Sequence, residues 1–310
     1  MAVEAGFAQI AIMQAGTLNS TPTGVIVLGI TQNENLQTSR LRGIKIDHAD
    51  MELPNYDNLL LSAATLQGNL YMFNKLIEYR HGNCDIQIIT TGEGKVFKFL
   101  AASNPLGIEP KLSYTKDSRI ITVDIEGAFP AAQWDSILSA AASNTAVDLS
   151  ITPASGKDFT KQRLVSPAAT ESPIGTSITG AIIERSITIE PKRKAKTINN
   201  ISLFDKLTVT VNLQIEEVTL ADYAAQRAKG TSPSLKLKEN NSDTTYDAFV
   251  FNAGVLVQNA NLNITGENVQ MNVEYKGAFP ISKMTLLTGT GNGGSASDGG
   301  LTGGTLQVSA

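Results

Sequence analysis

Between positions 207 and 216 apolar and polar residues alternate without a break. Leu207, Val209, Val211, Leu213 and Ile215 are apolar, and Thr208, Thr210, Asn212, Gln214 and Glu216 are polar. A period of two sends successive side chains to opposite faces, so this run predicts a strand with one buried and one polar face. Shorter alternations at 186–190 and 262–265 and an apolar run at 59–66 predict further strands. Helical spacing is confined to 69–81, 131–142 and 219–229. The first and third of these close on Gly82 and Gly230, the residue type that supplies a left-handed C′ position. Runs of strands followed by a single helix predict a mainly β fold of β-sandwich or barrel-like units, each with a short flanking helix.

The pattern repeats. Residues 112–130 and 262–280 align without a gap at an offset of 150, with 7 of 19 positions identical, and both end on Gly-Ala-Phe-Pro. Ile121, Val123 and Ile125 fall on Met271, Val273 and Tyr275, and Asp124 falls on Glu274. Upstream, Phe99 falls on Phe249 and Leu106 on Leu256. The segment 72–82 lies over 220–230 at an offset of 148. Self-similarity at a long period marks repeated structural units. Two tandem domains are therefore expected, 1–165 and a duplicated 166–310, with the join near 150–178. Three stretches read as loops: 47–58, the polar 229–247, and the Gly-rich 288–304.

Composition narrows the chemistry. Charged residues are 17% of the chain, below the roughly 25% of ordinary soluble domains, and the net charge is −4 with a pI near 5.3. A general basic footprint for nucleic acid is absent. Two His and one Cys exclude a His/Cys metal centre or a disulfide framework. No basic segment precedes an apolar stretch near the start, where Glu4 is acidic and Arg40 is the first basic residue. The most apolar run, 24–30, is about a third of a membrane span. The expectation is a soluble protein made in a cytoplasm, with Cys84 reduced.

Candidate chemistry is thin. His81 and Cys84 stand close in sequence, but His81 falls on Lys229 in the repeat, which points to a helix-end role. A G-x-G-x-x-G string at 289–294 has no helical pattern after it, and Gly94-Lys95 lacks the rest of a phosphate loop. The basic cluster 192–196 reads as a solvated loop between strands, a contact for an acidic neighbour, a nuclear-import segment or a phosphate grip. Asp124, Glu126 and Glu274 sit at polar positions of alternating runs, where solvated charges belong. Asp47 and Asp50 lack the Gly and distal Glu of a calcium loop. No catalytic residue, cofactor or metal is expected.

A duplicated β unit with one flanking helix, spanning about 20–150 and 178–290, resembles the major tail tube proteins of tailed bacteriophages. That resemblance implies a structural virion protein rather than an enzyme. Members with two fused copies form trimeric, pseudo-hexameric rings whose inner wall is a continuous β-barrel. The rings stack into a tube around a tape-measure protein, between terminator and baseplate proteins, and DNA leaves through it without specific binding. The chain would then be assembled in the host cytoplasm, reside in the virion tail and meet no membrane. Thr208, Thr210, Asn212, Gln214 and Glu216 are the candidate lumen residues. Rival readings are another β-sandwich virion or adhesion module, such as a baseplate or decoration protein, and an enzyme using carboxylates alone. The symmetry is also similar to that of ring-forming DNA clamps, which need basic residues around the hole.

Overall fold

The computed structural model describes residues 7–28, 35–41, 56–65, 70–90, 94–115, 119–147, 181–192, 203–228, 235–238, 248–265, 268–287 and 305–310. The chain is mainly β. Its strands are β1 (Phe7–Gln14), β2 (Ile26–Leu28), β3 (Asn35–Leu41), β4 (Tyr56–Thr65), β5 (Cys84–Thr90), β6 (Val96–Phe99), β7 (Gly107–Thr115) and β8 (Arg119–Pro130). They continue as β9 (Ala181–Lys192), β10 (Lys206–Glu216), β11 (Leu235–Lys238), β12 (Ala248–Phe251), β13 (Leu256–Thr265), β14 (Asn268–Pro280), β15 (Met284–Leu287) and β16 (Thr305–Val308). The helices are α1 (Leu70–Glu78), α2 (Ala131–Ala141) and α3 (Leu220–Ala228).

Eight strands form one sheet in the order β13-β14-β10-β9-β7-β8-β4-β3, and every pairing in it is antiparallel. Two four-stranded sheets accompany it, β2-β1-β5-β6 and β11-β12-β16-β15. The alternation at 207–216 does what its period demands: Leu207, Val209, Val211, Leu213 and Ile215 are buried, and the polar residues between them reach the other surface. The apolar face of the large sheet joins α1 and both small sheets in a single buried cluster. Tyr114 on β7 meets Phe249 on β12 edge to face at 5.1 Å, so aromatic residues from the two halves of the chain share that core.

The 150-residue offset recurs in the strand pairings. Tyr56 pairs with Pro130 and Lys206 with Pro280; Leu112 pairs with Ile121 and Leu262 with Met271. The sheet is thus a run β3-β4-β8-β7 followed by a matching run β9-β10-β14-β13, in the same order and hand. The repeated Gly-Ala-Phe-Pro has a packing cause. A Cβ on Gly127 would stand 2.5 Å from Leu106 Cδ2, and one on Gly277 would stand 2.2 Å from the carbonyl oxygen of Val255. In both runs the chain entering the neighbouring strand crosses the glycine, leaving no room for a side chain. The Phe that follows anchors an aromatic contact: Phe129 stacks on Trp134 and Phe99, and Phe279 packs against Phe251.

Several local expectations change. α1 ends at Glu78, and Gly82 instead closes a separate 3-10 turn at Arg80–Gly82, in which His81 itself takes φ 61°. The segment 229–247 is not all loop, because β11 lies inside it and pairs with β12. In 47–58, residues 56–58 belong to β4, and the remainder lies outside the described residues. Beyond the Gly-rich 288–304, itself outside them, β16 inserts parallel to β12 and buries Leu306 and Val308. The two runs also differ after their Pro: Pro130 leads into α2, whereas Pro280 leads into a 3-10 turn at Ile281–Lys283. The expected join near 150–178, and with it the boundary at 165, lies outside the described residues. At α3, Thr219 and Asp222 cap each other: Thr219 Oγ1 accepts from the Asp222 N–H and Asp222 Oδ2 accepts from the Thr219 N–H, both at 3.1 Å.

Candidate assembly surface: one polar face and two open edges

The polar face of the eight-stranded sheet runs across both repeats. Cross-strand register carries it from Asn259 through Glu274, Asn212 and Ser186 to Thr115, and the pairing of Glu109 with Asp124 continues its line from β7 into β8. Thr208, Thr210, Asn212, Gln214 and Glu216 all stand on it. Their hydrogen bonds run sideways along the sheet. Gln270 Nε2 donates to Glu216 Oε1 at 2.7 Å, Gln214 Nε2 donates to Gln270 Oε1 at 3.3 Å, and Thr208 Oγ1 donates to the Glu190 carbonyl at 3.3 Å. A ladder of amides and carboxylates satisfies itself in this way and leaves Asn212 and Asn272 exposed. A depression of about 520 Å³ opens on this face, lined among others by Asn212, Gln214, Asn261, Asn272 and Glu274.

Charges on the face are mixed. Glu184, Glu190, Glu216, Glu274 and Asp124 stand there with Lys111, Lys192, Lys206 and Lys276. Lys111 and Glu190 form an ion pair at 3.2 Å, each side chain about half exposed, across the line where β7 meets β9. Its contribution is small at such exposure, roughly 0–1 kcal/mol. Glu126 departs from expectation: together with Glu109 it is buried rather than solvated, although both occupy polar-face positions.

The edges of the sheet are β3 and β13, each paired on one side only among the described residues. Along β13 the cover of the apolar side runs out toward the end of the strand: Leu256 is buried, Ala260 and Leu262 are half-buried against the core, and Ile264 stands clear. Ile264 is 61% exposed, whereas Tyr114, its counterpart on β7, is 1% exposed. Sequence reading missed this pair of edges. Leu262 and Ile264 read simply as the buried side of a strand, and only the sheet order shows that no further strand pairs with β13 among the described residues.

The other candidate residues separate from one another. Cys84 is buried, and burial first, then the neighbouring Asp85 charge, pushes its thiol well above the ordinary range, which leaves no thiolate for nucleophilic chemistry. Nε2 of His81 accepts a hydrogen bond from the Phe204 N–H at 3.1 Å. Asp85 is wholly buried and accepts from the Leu18 N–H at 3.1 Å and the Ala101 N–H at 2.9 Å, a structural clamp. Gly94 and Lys95 lead into β6, and the Thr90 N–H at the end of β5 donates to the Lys95 carbonyl at 3.0 Å. Of the basic cluster, Lys192 ends β9, and the remaining residues lie outside the described ones, as do Asp47 and Asp50. Among the described residues no three His, Cys, Asp or Glu side chains gather into a metal-binding group, and no helix is long and apolar enough to cross a membrane. In comparisons with known proteins, the chain matches no protein-family model and no curated protein sequence.

Proposed function

We propose that this chain is a structural subunit of a tube: copies associate into rings, three chains giving pseudo-sixfold symmetry, and the rings stack into a conduit of the phage-tail type. One observation carries the reading. A single sheet continues through both repeats, with a polar face along β9, β10, β14 and β13, an apolar face packed on the rest of the chain, and edges at β3 and β13 that no further strand pairs among the described residues. Such a sheet is suited to be one sector of a closed wall, because closure removes edges that a free sheet has to protect.

The polar face then lines the lumen, with Thr208, Thr210, Asn212, Gln214 and Glu216 among its residues. Amides, hydroxyls and an excess of carboxylates offer phosphate no binding stripe, which suits passage of DNA over its retention. The partners are further copies of the chain, a tape-measure protein within the tube, and terminator and baseplate proteins at its ends. The place of work is the virion tail, after assembly in the host cytoplasm.

Negative-stain microscopy of the purified protein tests this. Rings or stacked tubes with an axial channel are expected, and a protein that remains monomeric at every concentration overturns it.

A further inference from the structure

We infer that β13 of one chain pairs antiparallel with β3 of a second copy, with Leu262 opposite Thr38, Asn263 opposite Gln37, Ile264 opposite Leu36 and Thr265 opposite Asn35. This deepens the ring reading above by naming the strands and the register through which copies meet.

The chain already contains one example of this seam. Inside it, β7 pairs with β9: Leu112 opposite Ile189, Ser113 opposite Thr188, Tyr114 opposite Ile187, and Thr115 opposite Ser186. β7 is the last strand of the first run, and its counterpart in the second run is β13, because Leu112–Ile121 and Leu262–Met271 are equivalent pairs. β9 is the first strand of the second run, and its counterpart is β3. Ser186 lies opposite Asn212, and Asn35 lies opposite Ser62, which is 150 positions before Asn212. The internal junction is therefore heterologous: the last edge of one run accepts the first edge of the next. Among the described residues the same two edges then recur, unpaired, at the outer ends of the sheet. Applying the same junction between copies uses both edges and generates a closed ring or a continuing array.

Three of the four pairs keep the kind of their inner counterparts: Asn263 with Gln37 and Thr265 with Asn35 where the inner seam has Ser113 with Thr188 and Thr115 with Ser186, and Ile264 with Leu36 where it has Tyr114 with Ile187. The fourth sets Leu262 with Thr38 where Leu112 meets Ile189. Ile264, exposed in the single chain, gains the cover that its counterpart Tyr114 already has. A slip of one residue would put Ile264 against Gln37 and send the alternation to the wrong faces, so the register is strongly specified.

The test is disulfide trapping in the full chain, whose native Cys84 is buried. Two double variants are made, Asn263→Cys with Gln37→Cys and Ile264→Cys with Leu36→Cys. Adjacent antiparallel pairs alternate between wide and close spacing, and one of the two has the close geometry a disulfide needs. Under mild oxidation at least one should give a reducible ladder of dimer and trimer, while the slipped pair Asn263→Cys with Leu36→Cys loses it. Equal trapping in the slipped pair, dimers from Asn263→Cys alone, or no intermolecular trapping in either register pair overturns the inference. Rings seen by microscopy without trapping would reject this seam and leave the ring reading standing. Trapping in register without stacked rings would do the reverse.

Discussion

The backbone N–H of Phe204 donates to Nε2 of His81 at 3.1 Å, and their rings meet edge to face at 5.7 Å. The two residues are 123 positions apart, so the turn after α1 is bolted to the chain entering β10. The bond needs the Nε2 lone pair. The imidazole therefore serves as an acceptor here, and the sequence-based idea of a cation at a helix end does not describe this contact. His81→Ala should lose about 1–3 kcal/mol, because the Phe204 N–H is left without its acceptor. Urea unfolding followed by circular dichroism would show it as a lowered midpoint with an unchanged slope.

Asp85 should be among the least replaceable polar residues. Its carboxylate ties the turn at Leu18 and the turn at Ala101 to β5 from a fully buried position. Asp85→Ala strands one buried and one half-buried donor and should cost about 2–3 kcal/mol, with Asp85→Asn costing less because one acceptor survives. Thermal melts of the two variants should fall in that order.

The repeated glycines should differ in tolerance. Gly127→Ala meets chiefly the methyl of Leu106, which can shift, and should cost about 1 kcal/mol. Gly277→Ala meets the backbone carbonyl of Val255, which cannot, and should cost about 3 kcal/mol or prevent folding. Comparing the soluble yield and unfolding midpoint of the two variants checks the ranking.

Stability should fall in alkali. Burial raises the Tyr275 hydroxyl, and burial with the Asp85 charge raises the Cys84 thiol, so both keep their protons when folded. The unfolded chain releases them above about pH 8.5 for Cys and pH 10 for Tyr. Each group's contribution is complete below its unfolded pKa and is lost as pH rises toward the folded one, at up to about 1.4 kcal/mol per pH unit. The Tyr275 hydroxyl is buried without a hydrogen-bond partner among the described residues. Tyr275→Phe should therefore be neutral or stabilising at pH 7 and should flatten the alkaline limb in unfolding titrations between pH 8 and 11.

Much of the fold was legible because its periods are strong. The alternation at 207–216 became β10 and the helical spacing at 131–142 became α2, since in both the burial pattern is local. The repeat at 150 also carried real information, down to the Gly that each run needs at a strand crossing. Less was legible where partners come from far away. β11 and β16 are four-residue strands paired with β12; each alternates apolar and polar residues, at Leu235 and Leu237 and at Leu306 and Val308, but two apolar positions are too short a run to stand out beside long polar and Gly-rich connections. Glu126 alternates like a surface residue and is nevertheless buried, which period alone does not reveal. The polar face was visible strand by strand, but the two edges exist only in the order of the sheet.

The Lys111–Glu190 pair sits on the one seam that is folded into the chain itself. Two strands on a common tether find each other at a rate and with a stability that dilution does not alter. Strands on separate molecules enjoy no such protection, and their pairing follows mass action. The smallest species able to diffuse is consequently a finished eight-strand sector rather than a four-strand half. In the proposed ring half of the seams are made in advance, and that half survives every disassembly short of unfolding.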